Sequence, residues 1–291
     1  MQSGETRKKG LLIVSAGVLL ISFDALLIRL SAASNWDVIF WRGLFMFVSL
    51  SAILGLRDRT GPIKALRQSG LPGVFSAVFF GLGGLLFVSS IVFTKVANTV
   101  VIISLSPLFA ALFTWLFRIE TILLRTWLAI AAAFFGVVLV FWGSLGSGGL
   151  LGDLIAVAAA VNIGGNLTLL RRYPGLDRLP MVCVGGLIMA GLAVSLAEPF
   201  SLSLQSYAVL AVMGLVQMPA ALVLIGQSTN YLPSPEVSLF LLVETICSPI
   251  WVWLVLGEDP PGMTFVGGTI IIATLTAYFL QSLRERPHPA A

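Results

Sequence analysis

The chain has 291 residues, 58% of them hydrophobic and only 10% charged, with a net charge of +4 and a mean hydropathy of +1.01. A soluble domain carries about 25% charged residues, so a water-facing surface cannot be covered here and a soluble fold is excluded. In a bilayer the same length holds about ten spans of roughly 20 residues joined by short connections.

Residues 1–10 form a polar tail, in which Arg7-Lys8-Lys9 precedes an apolar run, as in a secretory signal. That run reaches about Leu30 and carries Asp24 and Arg29, too long and too charged for a signal core, so it is expected to be an uncleaved first span. Further apolar windows follow at about 36–56, 71–93, 97–117, 123–143, 151–171, 179–198, 206–229, 235–256 and 263–283. A spanning backbone must satisfy its own hydrogen bonds, so each window predicts a helix. The expected fold is an all-α integral membrane domain of ten transmembrane helices. Residues 11–143 hold five of them, 151–283 hold the other five, and 284–291 form a second tail.

Lys and Arg placement sets the orientation. Arg57, Arg59, Lys64, Arg67, Arg118, Arg125, Arg171, Arg172, Arg178, Arg284 and Arg286 fall on the same side as the N-terminal basic cluster, while Glu258-Asp259 falls opposite. Both termini are therefore expected in the cytoplasm. Loop placement also explains the basic balance without nucleic acid. Trp36, Trp142, Trp251 and Trp253 lie at predicted outer ends and Trp115 and Trp127 at inner ends, as an interfacial belt would. Trp41 lies deeper.

Cys183 and Cys247 sit inside apolar runs and suggest neither a disulfide framework nor a zinc site. The sole histidine, His288, is in the C-terminal tail. No phosphate-binding loop appears, and no cofactor, metal or obligate protein partner is expected.

The segment from Val101 to Glu120 can be laid on Leu239 to Glu258, matching Trp115 with Trp253 and Pro107 with Thr245. Gly10-Leu-Leu-Ile likewise lies beside Gly152-Asp-Leu-Ile, Asp24 beside Asn166 and Arg29 beside Arg171. Five crossings per copy force the second to enter from the opposite face, so the two halves are expected to be inverted repeats, a signature of secondary transporters. Ten spans, five-span halves and a proline thirteen residues before a glutamate at a helix end resemble the drug/metabolite transporter superfamily. The closer resemblance is to its EamA-type bacterial exporters, and within these to the exporters of amino acids, aromatic ones included. Ile119 and Thr245 stand where that pattern has glycine and proline. The resemblance implies a multi-pass protein of the bacterial inner membrane that exports small metabolites without being an enzyme. A drug carrier is the alternative within transport. A membrane-embedded enzyme is the alternative outside it, and it lacks paired metal-binding aspartates, a GxSxG serine and an intramembrane histidine.

Charges inside spans are costly and face a cavity or a partner. At about 1.5 Å per residue, Asp24 and Arg42 come to similar depth on consecutive antiparallel spans, as an ion pair that staples two helices or as a polar pair on the path. Glu244, near the middle of its span, reads as a packing residue or as a group that responds to protons or to a substrate amine. Asn98, Asn162, Asn166 and Gln217 read first as interhelical hydrogen-bonding residues. Phe23, Phe40, Phe79 and Phe87 are apolar bulk or, with Trp41, a pocket. Pro107, Pro219, Pro249, Gly81, Gly83 and Gly84 read as kinks or as packing features. Spans five and ten carry small-residue faces, Ala129, Ala133 and Ala132/Gly136 on one and Thr269, Ala273 and Ala277 on the other, and are expected to support the rest.

The charge asymmetry yields the first prediction. Cysteines placed at Lys64 and Arg178 should resist impermeant thiol reagents in intact cells, and one at Gly148 should react. Labelling of the first two from outside would overturn the orientation and the inverted repeat together.

Overall fold

The computed structural model describes residues 4–59, 61–117, 124–144, 149–173, 176–228, 231, 234–260 and 262–284. Hydrocarbon offers the backbone no partners, so the apolar runs close their hydrogen bonds internally and become helices. In chain order these are α1 (Gly4–Ser22), α2 (Asp24–Leu30), α3 (Asn35–Asp58), α4 (Pro62–Gln68), α5 (Gly70–Phe93), α6 (Val96–Ile103) and α7 (Ser106–Leu116). The second half holds α8 (Leu124–Ser144), α9 (Leu150–Arg172), α10 (Arg178–Ala193), α11 (Leu204–Ala211), a π-helical segment (Val212–Gln217), α12 (Met218–Ser228), α13 (Ser234–Leu256) and α14 (Gly262–Arg284). Among the described residues, six helical stretches are long and apolar enough to cross a membrane, and four shorter apolar ones accompany them.

Three predicted spans are interrupted. The first breaks at Phe23, whose N–H closes a tight turn on the Leu20 carbonyl. The fourth breaks at Ser104-Leu105, and Pro107 lies in the first turn of α7. A proline there forfeits a hydrogen bond that the helix start lacks anyway, so Pro107 begins a helix and does not kink one. The eighth changes pitch in the π-helical segment just before Pro219. Proline cannot donate to the carbonyl four residues back, and that carbonyl, of Leu215, accepts the Ser49 hydroxyl at 2.7 Å. Pro249 lies within α13, and α5 runs unbroken through Gly81, Gly83 and Gly84.

Those glycines are notches for neighbouring helices. A Cβ on Gly81 would stand 2.9 Å from the Gly185 carbonyl oxygen, and one on Gly83 would stand 2.9 Å from Asn162 Nδ2. Helices α3 and α10 cross closely through Gly43 and Gly186, and α8 and α14 through Gly136 and Gly267. Ala129 and Ala133 face that second seam, but Thr269, Ala273 and Ala277 are exposed, which corrects the face expected on the tenth span. Elsewhere α5 packs on α9 and α10, α1 on α12 and α13, α6 and α7 on α9, and α6 on α13. The broadest apolar cluster lies around α2, α3 and α5, where Phe23, Phe40, Trp41, Phe87, Trp36 and Trp251 pack on buried residues such as Ile39, Val88 and Met213. Trp36 and Trp251 thus turn into the protein, away from the belt expected of them, whereas Trp142 and Trp253 are exposed.

The α8–α14 seam carries the second prediction. Gly267→Ala would drive a methyl into the Gly136 carbonyl, and such overpacking costs about 1–3 kcal/mol. Gly191, whose added Cβ meets nothing within 4 Å, should accept alanine without loss. Thermal unfolding in detergent should separate the two, and equal melting temperatures would contradict the close crossing.

Candidate substrate site at the break in the first span

Breaking a helix in hydrocarbon strands backbone groups that must find other partners. Around Phe23 the partners are side chains. The Ser22 hydroxyl donates to the Leu19 carbonyl at 2.7 Å, and Gln217 Nε2 donates to the Leu20 carbonyl at 2.8 Å. Trp251 Nε1 in turn donates to Ser22 Oγ at 3.0 Å, with its ring stacked on Phe23 at 4.8 Å between centroids. Two distant elements, the π-helical segment and α13, therefore hold the break in place.

Asp24 begins α2 directly after the break. Its Oδ2 lies 2.9 Å from Arg42 Nη2 on α3, and both side chains are almost wholly buried, at 4% and 5% exposure. The Arg42 guanidinium also stands over the Phe87 ring at 5.6 Å, a cation–π contact that strengthens when water is excluded. Gly214 lets the π-helical segment lie against this place, because a Cβ there would stand 3.2 Å from the Arg42 carbonyl oxygen. Gln217 follows three residues later.

The pair does not exhaust its own valences. Among the described residues, Asp24 Oδ1, Arg42 Nη1 and Gln217 Oε1 are buried without a hydrogen-bond partner. A buried polar atom with no partner is rare enough to call for water or a ligand. One cationic donor and two acceptors, one of them anionic, remain unused, on α2, α3 and the π-helical segment. Glu244 on α13 interacts electrostatically with both Asp24 and Arg42. It is partly exposed.

The other sequence candidates lie elsewhere or are already engaged. Trp41 Nε1 donates to the Pro199 carbonyl at 3.0 Å, and its ring meets Phe40, Phe45 and Tyr207. It pins the segment after α10. Phe79 packs on Gly165, and its carbonyl accepts Asn162 Nδ2 at 2.8 Å. Asn166, aligned with Asp24 in the repeat, accepts the Ser76 hydroxyl at 2.7 Å, between α5 and α9. Gly84 faces Met189, and Pro219 is the second residue of α12, just after the π-helical segment. Glu120 lies outside the described residues.

Sequence reasoning missed three groups. Ser22 and Trp251 fasten the break. Asp153, fully buried near the start of α9, accepts the Thr94 hydroxyl at 2.7 Å and Asn98 Nδ2 at 3.1 Å, while Asn98 Oδ1 accepts the Thr264 hydroxyl. The signal for Asp153 was present as a lone acid one turn into an apolar run.

Removing one partner of a buried pair strands the other charge, at a cost of about 3–5 kcal/mol, whereas replacing both with apolar residues is close to neutral. Asp24→Ala should therefore lower the melting temperature sharply, and adding Arg42→Met should recover most of it. An undiminished melting temperature in Asp24→Ala would contradict the buried pair.

Comparison with known proteins agrees with this architecture. Residues 8–142 match the model of the EamA-like transporter family. A solved structure described as the crystal structure of a protein aligns over 97% of this chain and 100% of its own, with a TM-score of 0.63 and 19% sequence identity. At that identity the likeness concerns the fold alone. No curated protein matches the chain. The part of the chain similar to the EamA-like transporter family, residues 8–142, is thus the part that carries the broken first span, Asp24 and Arg42.

Proposed function

We propose that this protein exports small metabolites, with amino acids, aromatic and other apolar ones included, as its substrate class. It works by alternating access in the bacterial inner membrane, with both termini cytoplasmic and ten crossings arranged as two inverted five-helix halves. Helix packing supports the halves. If the first five crossings exchange with the second five, α1 on α12 corresponds to α5 on α9, and α1 on α13 corresponds to α7 on α9. The contacts of α3 with α10, α8 with α14 and α6 with α13 each correspond to themselves.

The observation that carries the substrate class is the set of unused valences at the Asp24–Arg42 pair. A zwitterion entering hydrocarbon must have both ends compensated, because desolvating an unpaired ion costs several kcal/mol. Its carboxylate suits Arg42 Nη1, and its ammonium suits Asp24 Oδ1 and Gln217 Oε1. The apolar side chain then meets Phe23, Phe87 and Trp251, which belong to one cluster, with Phe87 under the Arg42 guanidinium. Glu244, in electrostatic reach of both charges, acts as the group that responds to a proton or to the substrate amine.

Purified protein in liposomes loaded with unlabelled phenylalanine should take up labelled phenylalanine by counterflow without ATP. The Asp24→Ala/Arg42→Met double variant should fold and yet lose this exchange by about tenfold or more, the factor that 1.4 kcal/mol of lost binding represents. Glu244→Gln keeps size and hydrogen bonding while removing titration, and should flatten the pH dependence of exchange. Undiminished counterflow in the folded double variant would remove the pair from the site.

A further inference from the structure

A second ion pair, outside the candidate site, occupies the end of the bundle that carries Glu258. There Arg29 Nε lies 3.3 Å from Glu258 Oε2. Each partner also holds one side of the turn between α5 and α6. Arg29 Nη2 donates to the Thr94 carbonyl at 2.8 Å, at the C-terminal end of α5, and Glu258 Oε1 accepts the Val96 N–H at 3.2 Å, at the N-terminal end of α6. A cation at a helix C-terminus and an anion at an N-terminus are each favoured by the helix dipole, so both charges are complemented twice. Thr94 continues the network inward through its hydroxyl to Asp153. Four elements, α2, the α5–α6 turn, the segment after α13 and the start of α9, meet in one polar seal.

Three features distinguish this seal from the Asp24–Arg42 pair. Its ion pair is partly exposed, at 27% and 16% against 5% and 4%, so parting it costs less than parting the fully buried pair. Glu258 sits on a turn made by Gly257, whose φ of +65° is a left-handed conformation that glycine adopts without strain. Finally, a narrow, open-sided hollow, too small to admit a water, lies directly inside it, lined by Val96, Ala97, Pro249, Val252, Glu258 and Pro260. Pro249, in the hollow's wall, lacks the N–H that would continue the hydrogen bonding of α13. At the opposite end, the Arg57–Asp177 pair is exposed on both sides.

We propose that Arg29 and Glu258 are the gating residues of the transport path at this end, shut in this structure. Opening breaks the pair and swings the part of α13 beyond Pro249 away from the α5–α6 turn. This rests on the transport reading above, but its readout does not need flux. A reporter cysteine at Ala97, buried in the hollow's wall, is placed in a chain whose Cys183 and Cys247 are replaced, and its rate of reaction with a charged maleimide is measured in detergent. Glu258→Gln retains an acceptor for the Val96 N–H and loses only the charge. It and Arg29→Gln should each raise the labelling rate roughly fivefold, the factor that about 1 kcal/mol of lost ion pairing represents. Lys95→Gln, an exposed charge beside the seal and outside it, should leave the rate unchanged. Unaltered labelling in both folded variants would overturn the gate, as would failure of both to fold, which would make the pair a structural staple. Faster labelling without flux of any amino acid would keep the gate and overturn the substrate reading.

Discussion

A helix that stops in hydrocarbon must hand its stranded backbone groups to side chains, and the arrangement around Phe23 follows from that demand. Gln217 and Ser22 take the Leu20 and Leu19 carbonyls, and Trp251 holds Ser22 in turn. To bring Gln217 there, the eighth predicted span adopts π-helical pitch, passes Arg42 on a glycine, and leaves a proline-freed carbonyl to Ser49. One interruption thereby fixes the mutual placement of α1, α2, α3, α12 and α13. The Asp24–Arg42 pair is built on that fixed frame, with little freedom to satisfy its remaining valences except by a ligand or water.

Under the transport proposal, the two ion pairs differ in burial as a binding site and a gate would. The inner pair is dry, so its separation is costly unless another charge replaces each partner, which is the property required of a binding site. The pair at Arg29 and Glu258 is more exposed and rests on helix ends, so its separation is less costly. Proline and glycine stand beside the second pair, in the α13 segment that moves under the gating proposal. Small-residue seams, at Gly43 with Gly186 and Gly136 with Gly267, join helices that keep their backbones in near contact.

Much of this was legible in the sequence. Helix positions followed from the apolar windows within a few residues, because length and hydrophobicity are set by the membrane, and counting rise per residue brought Asp24 level with Arg42. The breaks at Phe23 and Ser104 were not legible, since neither carries a proline or glycine at the interruption itself. The short α4 lay hidden in a basic loop. Rotational phase was the larger gap. Lipid-facing and protein-facing sides of a span are both apolar, so nothing in composition told that Trp251 turns inward or that the tenth span packs through Gly267 and not through Thr269 and Ala273. The repeat paired Asp24 with Asn166, but Asn166 joins α5 to α9 through the Ser76 hydroxyl and, among the described residues, meets no ion-pair partner of that kind.

The central claim is that the unused valences of Asp24, Arg42 and Gln217 are complementary to an α-amino acid zwitterion. Ligand-induced thermal stabilisation of the purified protein tests it most directly, comparing phenylalanine with its amide, which lacks the carboxylate, and with its N-acetyl derivative, which lacks the ammonium. Phenylalanine alone should raise the melting temperature in proportion to the logarithm of its concentration above Kd. Equal stabilisation by all three would show that the aromatic side chain, and not the charge pair, is what the protein reads, and would contradict the account.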